Sequence, residues 1–209
     1  MLKYILGTTV YERKIFFADG CVMNWKKYGT LIILSIMILL STLSLFSTED
    51  EYYRKAALFK VFSQNIKWPK DSDVNDQKKP FVIGVIGKNP FGSILETAYS
   101  QEENKIKNKK VEIRYILKKE EIESCHILFI SKSIDKELEE ILAITTAKPI
   151  LTIGETKGFA EKGVLFNLYI KREEIRFEIN ALALRESRLI PSSQLLSVAK
   201  IVGALEAPQ

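Results

Sequence analysis

Residues 125 to 131 read Cys125-His-Ile-Leu-Phe-Ile-Ser131, an apolar run too short for a helix and closed by a serine, the pattern of a strand buried on both faces. Such a strand needs a neighbour on each side, and the flanking sequence supplies several. Strand-like runs recur at Phe81 to Ile86, Val111 to Leu117, Ile150 to Ile153, Val164 to Ile170 and Ile175 to Ile179. Helical stripes separate most of them, so the fold predicted is α/β: a mostly parallel, open, Rossmann-like sheet flanked by helices, with the 125–131 strand at its centre. Only Lys171 to Glu174 joins the last two runs, too few residues for a parallel crossover, which predicts an antiparallel C-terminal strand pair.

The helices follow from spacing. Tyr52, Ala56, Phe59, Phe62 and Ile66 predict an amphipathic helix over Glu49 to Lys67, ended by Pro69 after Trp68. Lys70 to Lys79 is polar and aperiodic, as a loop is. Asn89-Pro90 reads as an N-cap and first helical residue, with Phe91, Ile94, Leu95 and Ala98 as the buried face. Ile134, Leu138, Ile141 and Leu142 form a further stripe, with Asp135 to Glu137, Glu139 and Glu140 facing solvent. Ala181, Leu182 and Leu184 predict a short helix, and Ser192 or Ser193 caps a final one containing Leu195, Leu196, Ala199, Ile201 and Val202. In the 111–117 strand, Glu112 and Arg114 alternate with apolar residues, which places it near an edge. No internal repeat or second-domain boundary is visible.

With 209 residues, 46% of them hydrophobic and 27% charged, the chain can build one sizeable core and is too apolar for disorder. Its formal charge of +5 is unevenly spread: Lys3, Arg13, Lys14, Lys26 and Lys27 against Glu12 and Asp19 give residues 1 to 47 a net +3, leaving +2 for the rest. Lys105 to Lys110 is the one basic cluster and is short, so a nucleic-acid partner is not expected. Two cysteines, Cys21 and Cys125, and a single histidine, His126, exclude a disulfide-stapled fold and leave a cysteine-based zinc site without ligands.

No charge occurs between Tyr28 and Thr48, and Leu31 to Leu40 is almost wholly apolar, so this segment is either a signal-peptide core or a membrane anchor. The basic Met23-Asn-Trp-Lys-Lys27 before it and the small hydroxyl residues of Ser41 to Ser47 after it favour a cleaved signal peptide. Translation from Met1 would instead place a 22-residue extension ahead of the run and favour retention. The organisation expected is an upstream extension over 1–22, a signal peptide or anchor over 23–47, and one domain over 48–209. That domain is expected in the periplasm, or anchored to the inner membrane by residues 28–47 while lying outside the cytoplasm.

Candidate chemistry is sparse. Gly84-x-x-Gly87-Lys88-Asn89-Pro90-Phe91-Gly92 joins a strand to a helix but lacks both the dinucleotide spacing and the P-loop hydroxyl, so a plain turn is favoured. Ligands of open α/β sheets gather at the carboxyl ends of strands, which singles out Asn89, Phe91, Ser131, Ser133 and Glu155 as candidate contacts. Arg176, Glu178 and Asn180 share a parity and are read as one polar face with charge pairing, structural in preference to ligand-binding. Cys125 and His126 are adjacent on a strand and point to opposite faces, so they cannot share a proton; a buried structural thiol is expected. No catalytic set emerges, and neither cofactor nor metal is expected.

Several separated strings agree with one family. Lys55-Ala-Ala-Leu-Phe59 with Trp68-Pro69, Ile83-Gly-Val-Ile-Gly87 with Asn89-Pro-Phe-Gly92, Cys125 to Ser131, Leu151-Thr-Ile153 with Gly158-Phe-Ala160, Arg176-Phe-Glu-Ile-Asn180 and Ser192-Ser-Gln-Leu-Leu196 together resemble the YfiR-like periplasmic family, which includes HmsC-type proteins. The resemblance implies a non-enzymatic periplasmic regulator that restrains a membrane-bound signalling enzyme such as a diguanylate cyclase, linking envelope conditions to cyclic di-GMP and biofilm formation. A periplasmic small-ligand-binding sensor is the alternative. The candidate partner is an inner-membrane diguanylate cyclase or sensor kinase, with an outer-membrane lipoprotein and a second copy of the chain as further candidates. Some members use disulfides as redox sensors. Cys125 occupies the family's central-strand position without a partner cysteine in the domain, which puts intrachain disulfide sensing in doubt here.

Overall fold

The computed structural model describes residues 25–203; the expectations for residues 1–22 and for Met23 lie outside them. The chain divides between Ser47 and Thr48 into two units, and helix α1 (Trp25–Gln64) contributes residues to both. In the first unit Ile33, Leu34 and Met37 are exposed. The second unit continues through β1 (Ile66–Lys67), β2 (Phe81–Ile86), α2 (Ile94–Tyr99), β3 (Val111–Ile116), β4 (Ile127–Ile130), α3 (Leu138–Thr145), β5 (Leu151–Gly154) and α4 (Phe159–Lys162). It ends with β6 (Phe166–Lys171), β7 (Glu174–Asn180), α5 (Ala181–Glu186), β8 (Ile190–Pro191), α6 (Ser193–Val198) and β9 (Lys200–Val202).

Seven strands form a sheet in the order β3-β2-β4-β5-β6-β7-β9. Pairing is parallel from β3 through β6, with β4 the middle of these five strands, and antiparallel between β6 and β7. The sheet is thus the mixed, mostly parallel α/β sheet that the sequence predicts. Every residue of β2, β4 and β5 is buried. One face lies under an aromatic stripe of α1: Phe59 and Phe62 are fully buried, with Phe62 meeting Phe166 and Phe177 at 5.0 Å each and Phe59 meeting Phe91 at 5.7 Å. Burying each phenyl contributes roughly 2–3 kcal/mol. Leu138, Ile141, Phe159 and Ile122 cover the other face.

Several boundaries differ from expectation. The helix expected from Glu49 begins at Trp25 and stops at Gln64, because Ile66 and Lys67 pair antiparallel with β8, an element too short to leave a sequence pattern. The side chain of Asn89 caps a tight turn and not a helix: its Oδ1 accepts from Phe91 N–H (2.9 Å), its Nδ2 donates to Gly92 O (2.8 Å), and α2 starts only at Ile94. A 3-10 segment, Lys132–Glu137, precedes α3, with Ile134 outside helical geometry. The final helix stops at Val198; Lys200–Val202 is a strand, parallel to β7, at the sheet edge. The β6–β7 connection is a two-residue turn in which Arg172 and Glu173 both take positive φ (53° and 65°), the form that matches the twist of a hairpin.

Two side chains finish the interior strands. A Cβ on Gly84 of β2 would stand 2.5 Å from Cys125 Sγ, so glycine is what allows the thiol to pack there. His126 takes the place of a ladder acceptor: Val82 N–H donates to its Nδ1 (2.8 Å) while His126 N–H donates to Val82 O (2.9 Å), and the ring stacks on Phe81. Accepting at Nδ1 makes the ring neutral with its proton on Nε2. Burial, reinforced by the Lys109 charge, pushes the imidazole down to about 4.

Gly84→Ala is expected to lower stability by about 2 kcal/mol through overpacking, and adding Cys125→Ala should recover at least half of that. Urea midpoints of the two variants check this, and additive losses would contradict it. The unfolded histidine takes a proton near pH 6.5 and the folded one only near 4, so the unfolded state binds the extra proton between these values. Stability from His126 is therefore full above pH 6.5 and declines by roughly 2–3 kcal/mol as pH falls to 4. Subtracting the urea-derived pH profile of His126→Ala from that of the parent should isolate this decline; identical slopes would refute it.

Candidate functional site

The carboxyl ends of β5 and β6 and the second-unit part of α1 enclose a cleft of about 620 Å³. At its base is a buried ion pair. Lys55 Nζ lies 2.6 Å from Glu155 Oε2 and 2.5 Å from Glu51 Oε1, and the Lys55 and Glu155 side chains are only 5% and 6% exposed. The Tyr52 hydroxyl reaches both oxygens of Glu155 at 3.2 Å, and Lys55 sits 4.4 Å from the centre of the Tyr52 ring. Helical spacing explains the grouping: Lys55 lies on the same stripe as Tyr52 and Phe59, one turn from each, so packing that stripe on the sheet carries the ammonium inward. Glu155 follows β5 directly and meets it there.

A second polar group lines the same cleft. Glu178 on β7 accepts from Asn167 Nδ2 (3.2 Å) on β6 and from Lys200 Nζ (2.7 Å) on β9, three residues that stand side by side in the sheet register. Asn167 is 1% exposed, and its Oδ1 has no hydrogen-bond partner among the described residues.

The sequence candidates separate on this geometry. Glu155 and Glu178 both line the cleft. Arg176 does not pair with Glu178 as expected; it pairs with Glu174, because the unforeseen strand β9 supplies Lys200 as the nearer cation for Glu178. Asn180 caps α5 through Ala183 N–H (2.8 Å) and donates to Ala160 O (2.7 Å). Ser131 and Ser133 fix the β2 exit, where Ser133 Oγ accepts from Lys88 N–H (2.7 Å) and donates to Ser131 Oγ (3.3 Å). Asn89 is engaged in its own turn, and Phe91 is 1% exposed within the aromatic cluster. Lys55, Asn167 and Lys200 were not anticipated. The signal for Lys55 was present, since a lysine within an apolar helical stripe requires a carboxylate partner.

The buried groups of the cleft are engaged with one another. Burial, with the Glu155 charge adding to it, raises the Tyr52 phenol far above its ordinary value and keeps it a donor. Burial pushes the Cys125 thiol up to about 11, and the imidazole of His126 has its Nδ1 occupied by the Val82 amide. Neither is an activated nucleophile or base.

The sequence model of the YfiR/HmsC-like family matches residues 52–200. The chain belongs to this family. The matched region includes Tyr52, Lys55, Glu155, Asn167, Glu178 and Lys200, so all of these polar groups lie within the family domain, with Glu51 one residue ahead of it. Among solved structures, a conserved domain protein from Vibrio cholerae O1 biovar El Tor aligns with 12% identity and a TM-score of 0.47, covering 72% of this chain and 59% of that one. The ABC domain from Streptococcus pneumoniae in complex with L-Trp aligns with 13% identity and a TM-score of 0.47, covering 72% of this chain and 62% of that one. The chain thus spans less than two thirds of either. No curated protein matches it.

Removing one member of a buried pair leaves an uncompensated charge, so Lys55→Met should cost about 3–5 kcal/mol, and Lys55→Met with Glu155→Leu should recover most of it. Chemical denaturation of the single and double variants reads the difference. A single variant within 1 kcal/mol (about one salt-bridge's surface value) would show that the pair is solvated.

Proposed function

We propose that this chain is a non-enzymatic periplasmic regulator that binds the periplasmic part of an inner-membrane signalling enzyme, such as a diguanylate cyclase, and holds down its output. Membership of the YfiR/HmsC-like family over residues 52–200 is the observation that carries this reading. The sequence supports it at the amino terminus, where the basic residues and apolar run ahead of Thr48 are those of an export signal or anchor. The structure supports it through the chemistry of the cleft, whose buried ionisable groups are engaged with one another.

Restraint across a membrane has a thermodynamic condition. The regulator must bind the inactive state of its partner more tightly than the active one, and a tenfold preference corresponds to about 1.4 kcal/mol of coupling. Complex formation and inhibition therefore go together. A periplasmic small-ligand sensor is the second reading, favoured by the cleft and by the unpartnered Asn167 oxygen at its wall.

Deletion of the gene is expected to raise cyclic di-GMP and biofilm formation, and only where the partner cyclase is intact. A copy whose export is blocked should fail to complement. Unchanged cyclic di-GMP in the deletion strain would overturn the regulator and favour the sensor.

A further inference from the structure

The strand β5 ends at Gly154, while its neighbour β6 runs on to Lys171. The two pair only at Ile153–Phe166 and Gly154–Asn167, a parallel register whose last bond is Leu168 N–H to Gly154 O, so beyond that N–H β6 has a partner on one side alone, β7. Asn180 N–H donates to Leu165 O (3.0 Å), which fixes the alternation: the backbone groups of odd-numbered β6 residues face β7, and those of Leu168 and Ile170 face away from it. The cleft lies beside this free edge, where a continuing neighbour strand would run. We propose that the β6 edge from Leu168 to Ile170 receives an extended, acidic segment of the partner as an added strand; the identity of that partner as a signalling enzyme rests on the function proposed above.

Charge and side-chain direction specify the occupant. Lys55 and Lys200 are neutralised by Glu155 and Glu178, but Lys157, at the β5 exit, and Lys171, at the end of β6, make no side-chain hydrogen bond or ion pair among the described residues. Two uncommitted ammonium groups at the rim favour carboxylates on an incoming segment. Side chains alternate along β6, so Ile170, 51% exposed, lies on one face and Lys171 on the other. A strand alternating apolar and acidic residues places its apolar side chains beside Ile170 and its acids beside Lys171. Four residues of it span roughly 13 Å. No proline blunts this edge, the condition under which backbone addition occurs.

The test uses the full chain and a displayed library of random eight-residue peptides. Selected peptides should alternate apolar and acidic residues and slow amide exchange at Ile170. Ile170→Pro removes a donor that faces the cleft and leaves the β7 ladder intact, so it should weaken these peptides at least tenfold while the melting temperature stays near that of the parent. Lys157→Glu with Lys171→Glu should weaken them similarly. Should Ile170→Pro not fold, peptides N-methylated at alternate amides must fail on the parent chain. Absence of selection, equal binding to a folded Ile170→Pro, full binding by the N-methylated peptides, or protection confined to other strands would overturn the dock. A deletion that raises cyclic di-GMP while a folded Ile170→Pro protein restrains normally sinks the dock and leaves the regulator standing. Peptide binding at the edge with no deletion phenotype does the opposite.

Discussion

The full burial of β4 on both faces is the constraint from which the rest follows. Ile127 to Ile130 carries no polar side chain, so a layer must cover each face, and the chain supplies the aromatic stripe of α1 on one and the helices after β4 and β5 on the other. Packing that stripe has a consequence beyond stability. Lys55 lies on the stripe between Tyr52 and Phe59, so seating the phenyl rings also drives an ammonium into the crevice at the strand ends, where Glu155 meets it. The floor of the cleft is thus a by-product of how the core closes. Its buried charges pair with one another because burial would otherwise leave them uncompensated.

The interior of the fold was legible in the sequence, and its margins were not. Fully buried parallel strands leave continuous apolar runs, which is why β2, β4 and β5 could be read directly, and the four residues Lys171 to Glu174 between the last two runs were too few for anything but an antiparallel pair. The alternation of the third strand correctly placed it at an edge. Errors fell where a short stretch satisfies two patterns. Leu195 to Val202 fits helical spacing throughout, but Ala199 leaves helical geometry and the chain turns into β9. Asn89-Pro90 has the composition of a helix start, and the Asn89 side chain is instead consumed by its own turn.

The first of these hid one member of the candidate site. With β9 read as helix, Lys200 could not be placed opposite Glu178, and Arg176 was assigned a partner that belongs to another residue. Glu155 was reachable from the rule that crevices form at strand carboxyl ends, whereas its partner lay one hundred residues earlier on a helix. Ion pairs across such separations leave no local periodicity. The mismatch in length between β5 and β6 is likewise invisible in sequence, because it is a property of register and not of either strand alone.

What distinguishes the cleft from the rest of the surface is a contrast between engaged and available groups. Its carboxylates and two of its lysines hold one another, while the β6 backbone edge, Lys157 and Lys171 remain open to a partner. On the function and dock proposed above, the protein works by binding an inner-membrane protein through that edge. A photo-crosslinking residue placed in cells at position 157 or 170, and for comparison at the exposed positions 78 and 136, tests it most directly. Adducts with one inner-membrane protein are expected from 157 and 170 and none from 78 or 136. Adducts from 78 or 136 alone, or from none of the four, would contradict it.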